Sequence, residues 1–245
     1  MNESQTSHVP SSSRRKRRFG RILLGLFVVG VVTHPWWLRG IGEFLVAEQP
    51  KSDAEVVLVL GGDHRLQEAA ELIRDQTVSE VWLVELDPTY AVLVGILPAD
   101  HIVASNQLVS MDVQPSQIRI LNGRAREYDD AAYVLAKELP EFPETNVLIL
   151  YERQDGRNVQ SVFSELLNES QFRHLSFLGL PDDEYNETNW WRSRTGWKET
   201  FTAISDLAYT LVVGVERHED RESWDPDAYE RKLISQFGGA PCHTE

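Results

Sequence analysis

Cysteine is nearly missing from this 245-residue chain, where Cys242 in the tail stands alone. One thiol forms no intrachain disulfide and no cysteine-held metal centre. The sequence also lacks a G-x-S-x-G nucleophile turn and a helical pair of metal-binding histidines, so enzyme classes built on those devices are without their parts. Basic residues are the scarcer sign, with 24 Lys and Arg against 38 Asp and Glu and a net charge of −14. They are also unevenly placed. Arg14, Arg15, Lys16, Arg17, Arg18 and Arg21 face only Glu3 within residues 1–21, a local +5 that leaves −19 on the remainder. A body that acidic repels phosphate backbones, which argues against nucleic acid as a partner. Hydrophobic residues make up 42% and charged residues 25%, a globular composition with enough chain for one sizeable core and appendages.

The beginning of the chain reads in three parts. Residues 1–18 are polar, Ser-rich and then strongly basic. Phe19 to Thr33 is almost wholly apolar, and Trp36-Trp37 follow as an interfacial aromatic pair. The 20 residues from Phe19 to Leu38 match the length that crosses about 30 Å of hydrocarbon. A cleaved signal peptide is the rival reading, but no small-x-small cleavage site follows Val32. The anchor reading puts the amino terminus in the cytoplasm and sends the rest of the chain across the membrane. Arg39 to Asp53 then reads as a short stem.

From Glu55 strand and helix alternate. E-V-V-L-V-L describes a strand buried on both faces, and Gly61-Gly62 ends it. Further strands are expected at 81–85, 118–121, 146–151 and 175–178, with helices at 65–74, 99–111, 129–139, 156–167 and 195–213. This spacing predicts an α/β fold: a three-layer Rossmann-like parallel sheet with helices on both faces, over about 47–217. A charged tail, 218–245, follows, with a helix expected near 229–234.

Gly61-Gly62 leave bare amides next to a helix start, which makes either an anion cradle or an ordinary turn. Arg65 and Arg157 offer planar forks for phosphate or carboxylate, or else pair with nearby acids on the surface. His64 could act near neutral pH or be an idle loop residue. Asp182-Asp183-Glu184 fits no calcium loop and reads as a solvated acidic turn. Trp190-Trp191, followed by Arg192 and Arg194, forms a substrate lip, lies on the membrane surface or packs one Trp in the core, and Tyr128 and Tyr151 read as structural.

The order of several segments resembles the YdcF-like family, which includes SanA- and ElyC-type bacterial envelope proteins. After an amino-terminal anchor, S-D-A-E-V-V-L-V-L-G-G-D-H-R is similar to the family's glycine-pair opening. Leu108 to Leu121 parallels the element before a strand, and Ala125 to Ala132 occupies the place of an Asn-Thr-containing helix start. Leu148 to Arg157 takes the place of a segment ending in His and Arg, and Trp190 to Tyr209 resembles the closing helix. The family's Ser-Gly-Gly is replaced by Glu85-Leu86-Asp87-Pro88. Its Asn-Thr becomes Arg126-Glu127, and Glu152-Arg153-Gln154-Asp155 stands where its His is expected. Asp129 takes the place of the motif's acid. The resemblance implies a role in envelope upkeep and a ligand set of Gly61, Gly62, Asp63, His64, Arg65, Asp129 and Arg157. The altered positions imply binding of a phosphorylated or otherwise anionic small molecule without strong catalysis. A hydrolase or transferase acting on a cell-wall precursor, lipid carrier or nucleotide-like substrate is the alternative. No cofactor follows from the sequence, and no metal site is expected.

Overall fold

A computed structural model describes residues 13–49, 53–62 and 64–215, except for the side chains at 13–24 and 26–28. The basic lead-in before Ser13, Asp63, the charged tail and its expected helix lie outside the described residues. The elements in chain order are α1 (Ser13–Leu45), β1 (Val56–Val59), α2 (His64–Arg74), β2 (Glu80–Leu86), α3 (Tyr90–Leu93), α4 (Asp100–Ser110), β3 (Ile118–Ala125), α5 (Tyr128–Glu138), β4 (Val147–Glu152), α6 (Gly156–Leu166), α7 (Glu169–Phe172), β5 (Leu175–Leu180) and α8 (Arg194–Val213).

The five strands form one parallel sheet in the order β3-β2-β1-β4-β5. Val and Leu runs suit this arrangement because each strand must bury both of its faces. Alternate side chains serve two different cores. Val56, Leu58, Trp82, Val84 and Ile149 pack with Ala132, Leu135, Val159 and Phe163 from α5 and α6. Val57, Val59, Val81, Leu83 and Leu150 pack with Leu66, Ala69, Ala70 and Leu108 from α2 and α4. The sheet is therefore covered on both sides, as the alternating sequence predicts. Two boundaries differ from expectation. β3 runs four residues beyond Leu121, because a register shift between Val84 and Glu85 lets β2 keep pairing with it. The expected helix at 99–111 is observed at Asp100–Ser110, preceded by the separate single turn of α3.

The stem is the larger surprise. α1 continues through Pro35 to Leu45, and its last turns are part of the folded body. Pro35 has no N–H, so the Val31 carbonyl loses its helical partner; His34 Nδ1 takes that place at 2.6 Å. Leu38 is buried with Tyr185 and Trp190, and Trp190 Nε1 donates to the Leu38 carbonyl at 3.0 Å. Leu45 is buried against Ala203 and Leu207 of α8. Beyond the helix, the Ala47 carbonyl accepts from Gln160 Nε2 at 3.0 Å and from the Tyr151 hydroxyl. Gln49 then pairs antiparallel with Phe177, beside the parallel sheet. The body thus begins near Leu38 rather than at residue 47. Trp190 resolves as a core residue, T-shaped against Trp191 and Trp197.

Among the described residues no helix is long and apolar enough to cross a membrane. The backbone of the expected span at 19–38 is helical within α1, and its side chains at 19–24 and 26–28 lie outside the described structure.

If the stem is structural, Leu45→Ala should destabilise the domain by about 2–5 kcal/mol, the cost of emptying a buried leucine site. Urea unfolding of the full chain in detergent measures this. A change lost in experimental error would make residues 38–49 a tether.

Candidate functional site

In an all-parallel sheet, ligands collect at the carboxyl edge where the strand order reverses. Here β1 lies between β2 and β4, so the reversal falls between β1 and β4. A cleft of about 890 Å³ opens at that edge, lined from β1 and α2, β2, α4, the β3–α5 junction, α6 and the end of α8. Its floor is built by residues the sequence singles out. β1 passes through Leu60 into Gly61, whose φ of +104° is the region that only glycine adopts cheaply. A Cβ there would also stand 2.6 Å from the guanidinium carbon of Arg65. Gly62 faces open space on its Cβ side, so the second glycine is required by neither backbone nor packing.

Arg65 occupies the switch point itself. Its Nη1 donates to Glu152 Oε2 at 3.1 Å, joining the start of α2 to the last residue of β4. Both side chains are more than four-fifths buried. Arg65 Nε and Glu152 Oε1 are buried with no hydrogen-bond partner in the protein. Burial raises the Glu152 pKa against the lowering pull of Arg65, while Asp182 and Glu199 push it further up.

A second carboxylate lies close by. Asp155 closes the single 3-10 turn Arg153–Asp155 that leads from β4 into α6. Its Oδ2 accepts from the Tyr128 hydroxyl at 2.5 Å. Burial pushes Asp155 up to about 6, the Tyr128 hydrogen bond restrains the rise, and the Glu152 charge adds to it. Burial also raises the Tyr128 hydroxyl well above its ordinary value, so Tyr128 is a proton donor throughout the physiological range. Asp155 therefore keeps its proton up to about pH 6, beside the cleft wall that Tyr128 forms.

The structure brings Gly61, Gly62, Arg65 and Asp129 together on the cleft. Asp63 lies outside the described residues. His64 opens α2 but does not line the cleft, and its Nε2 is buried without a protein partner. Arg157 belongs elsewhere, contrary to expectation. As the second residue of α6 it points away from the cleft, its Nε donating to the Phe44 carbonyl and its guanidinium lying 4.3 Å over the Phe44 ring. The neighbouring Asn158 lines the cleft instead and accepts from Thr210 Oγ1 at 2.7 Å. A helix turns each successive residue by about 100°, so one position decides which side is faced.

Three further residues were missed as site residues. Glu152 and Asp155 stood out in the sequence only as departures from the family pattern, and Tyr128 read as structural. For Glu152 and Asp155, their place at and just after the end of the buried strand β4 was the available signal. Asp182 Oδ1 accepts from the Glu184 amide at 2.8 Å, a local turn, and no group of three His, Cys, Asp or Glu among the described residues could hold a metal.

The raised Asp155 has a consequence for stability. A carboxyl that ionises near 6 when folded, against 3.8 unfolded, holds its proton more tightly in the native state. Its contribution is full below pH 4 and is lost as pH rises through 6, a swing of about 3 kcal/mol. Asp155→Asn keeps an acceptor for Tyr128 and should remove that part of the decline. Urea unfolding from pH 4 to 7 compares the two proteins. Parallel curves would mean that Asp155 titrates normally.

No protein-family model matches this chain, and no curated protein or solved structure matches it.

Proposed function

We propose that this protein is a membrane-anchored binding module of the bacterial cell envelope, taking a small molecule with one compact anionic group. The observation that carries the reading is the Gly61-Gly62 floor with Arg65 at the sheet's switch point, opening into a cleft of about 890 Å³. The glycine amides and the guanidinium favour an oxyanion. Asp100, Glu127, Asp129 and Asp206 also line the cleft, so an extended polyanion would meet repulsion. A single phosphate or carboxylate on an otherwise neutral body fits better. Glu152 already occupies Arg65 and competes with such a group for it. The membrane part of the proposal draws on the basic cluster followed by the apolar run at 19–33, with the domain on the far side. The envelope role draws on the ordered resemblance to the YdcF-like family.

A catalytic reading is favoured by one observation, the Asp155–Tyr128 pair with its proton held near pH 6. A general acid or base works best with such a pKa. In that case phosphorylated envelope intermediates would be turned over, with a pH profile that breaks near 6 and collapses in Asp155→Asn.

Titration of the full chain with inorganic phosphate tests binding. A charge-assisted contact contributes about 1.5–3 kcal/mol, so Arg65→Gln should weaken binding roughly ten- to a hundredfold. Glu152→Gln should strengthen it by releasing Arg65. Gly62→Val, which the backbone tolerates, should weaken it by blocking the amides. Unchanged affinity in all three folded variants would place the site elsewhere.

A further inference from the structure

The carboxyl edge of the sheet carries two features that the cleft does not account for. One is where the anchor helix leaves the domain. Leu38 to Ala47 lies over the carboxyl ends of β4 and β5: Ala47 is held by Tyr151 near the end of β4, and Leu38 by Trp190 in the segment after β5. Trp37 is one residue, about 1.5 Å of helix rise, before Leu38, so little spacer separates the aromatic pair from the folded body.

The other feature is a second apolar surface on the same edge. The loop from β2 to α4 runs from Pro88 to Pro98 without a charged residue. It exposes Tyr90, Leu93, Val94, Ile96 and Leu97, with Leu93 and Ile96 at 69% and 73%. A soluble loop has no reason to expose so many large apolar side chains in succession. Leu86 before this loop and Asp100 after it both line the cleft, so the apolar segment leaves and rejoins the protein at the cleft's rim. Across the mouth, α8 ends with Leu211, Val212 and Val213 exposed, immediately before the cleft residues Gly214 and Val215.

We infer that the carboxyl edge faces the bilayer and that the Tyr90–Leu97 rim is a second lipid contact, so that the cleft opens onto the membrane surface. The inference rests on the anchor reading above. An apolar segment without charges is the chemistry that enters the boundary between headgroups and acyl chains. Charge supports a shallow position. The acidic body is repelled by anionic lipid, which leaves uncharged segments as the part able to touch it. Asp87 and Asp100 bracket the loop, and Asp87 is paired with Arg126, so only the residues between them enter. The cleft ligand is then reached from the lipid surface, as a membrane-borne amphiphile or a solute concentrated there.

The test uses the full chain with Cys242→Ser, reconstituted in phosphatidylcholine–phosphatidylglycerol nanodiscs containing doxyl-labelled lipid. A bimane dye is placed at Val32→Cys on the anchor, Ile96→Cys on the rim, or Glu144→Cys before β4 on the amino edge. Quenching at Ile96 should match that at Val32 to within a factor of about two, as for a helix-depth interfacial contact, while Glu144 stays unquenched. Quenching at Val32 without quenching at Ile96 overturns the rim contact and leaves the anchor standing. A dye at Ile96 that is shielded from water yet unquenched means that a second copy covers the rim, which also overturns it. Absence of quenching at Val32 removes the anchor reading and this inference together.

Discussion

A parallel strand cannot be followed by its neighbour without a crossover, and each crossover puts a helix on a face of the sheet. In this protein that constraint governs nearly everything. It requires every central strand to be apolar on both sides, and Val56 to Val59 and Val147 to Tyr151 are buried throughout. It also requires the chain to change direction once, because α2 and α4 cover one face while α5 and α6 cover the other. The reversal separates the helices after β1 and β4, and the crevice between them is where the cleft opens.

At that crevice the fold brings together groups that would be costly to bury alone. Arg65 and Glu152 compensate one another across the switch point. A buried ion pair of this kind adds little net stability, but removing one partner strands the other charge. Glu152 and Asp155 both have raised pKa values for the same principal reason, burial, and the Glu152 charge adds to the rise at Asp155. The result is a buried polar cluster, with Asp155 raised to about 6, placed beside a glycine floor. The proposed oxyanion site and the Asp155–Tyr128 pair thus lie side by side, which is why the binding and catalytic readings are both chemically coherent for one site.

The docked end of α1 links this site to the rest of the chain. The Ala47 carbonyl is fixed by Tyr151, the residue before Glu152, and a Cβ on Gly156 would stand 2.6 Å from the Ala47 amide nitrogen. Glu48 pairs with Arg153 at 3.3 Å. The turn that carries Asp155 is therefore packed between the stem and the sheet. The end of α1 and the residues just after it are thus in direct packing contact with the segment 151–156.

The sequence by itself determined the sheet and its layers. Runs of Val and Leu, glycine at the first strand's end and helical periodicity between strands are local signals, and local energetics settle them. It also located Gly61, Gly62 and Arg65, because a glycine pair at the end of a buried strand marks a turn that other residues make only with strain, as the φ of Gly61 shows. What the tertiary structure alone decided was company. Arg157 sits in the same helical segment as Asn158, yet one turns toward Phe44 and the other toward the cleft, a choice made by how α6 packs against α1 and α8. Tyr128 and Asp155 are 27 residues apart, and Arg65 and Glu152 are 87 apart. Leu38 read as the end of the span and Leu45 as part of a short stem, because both look no different from other apolar residues until Trp190 and Leu207 arrive beside them. Burial and partners at such separations are properties of the assembled packing, and so are the shifted carboxyl groups that depend on them.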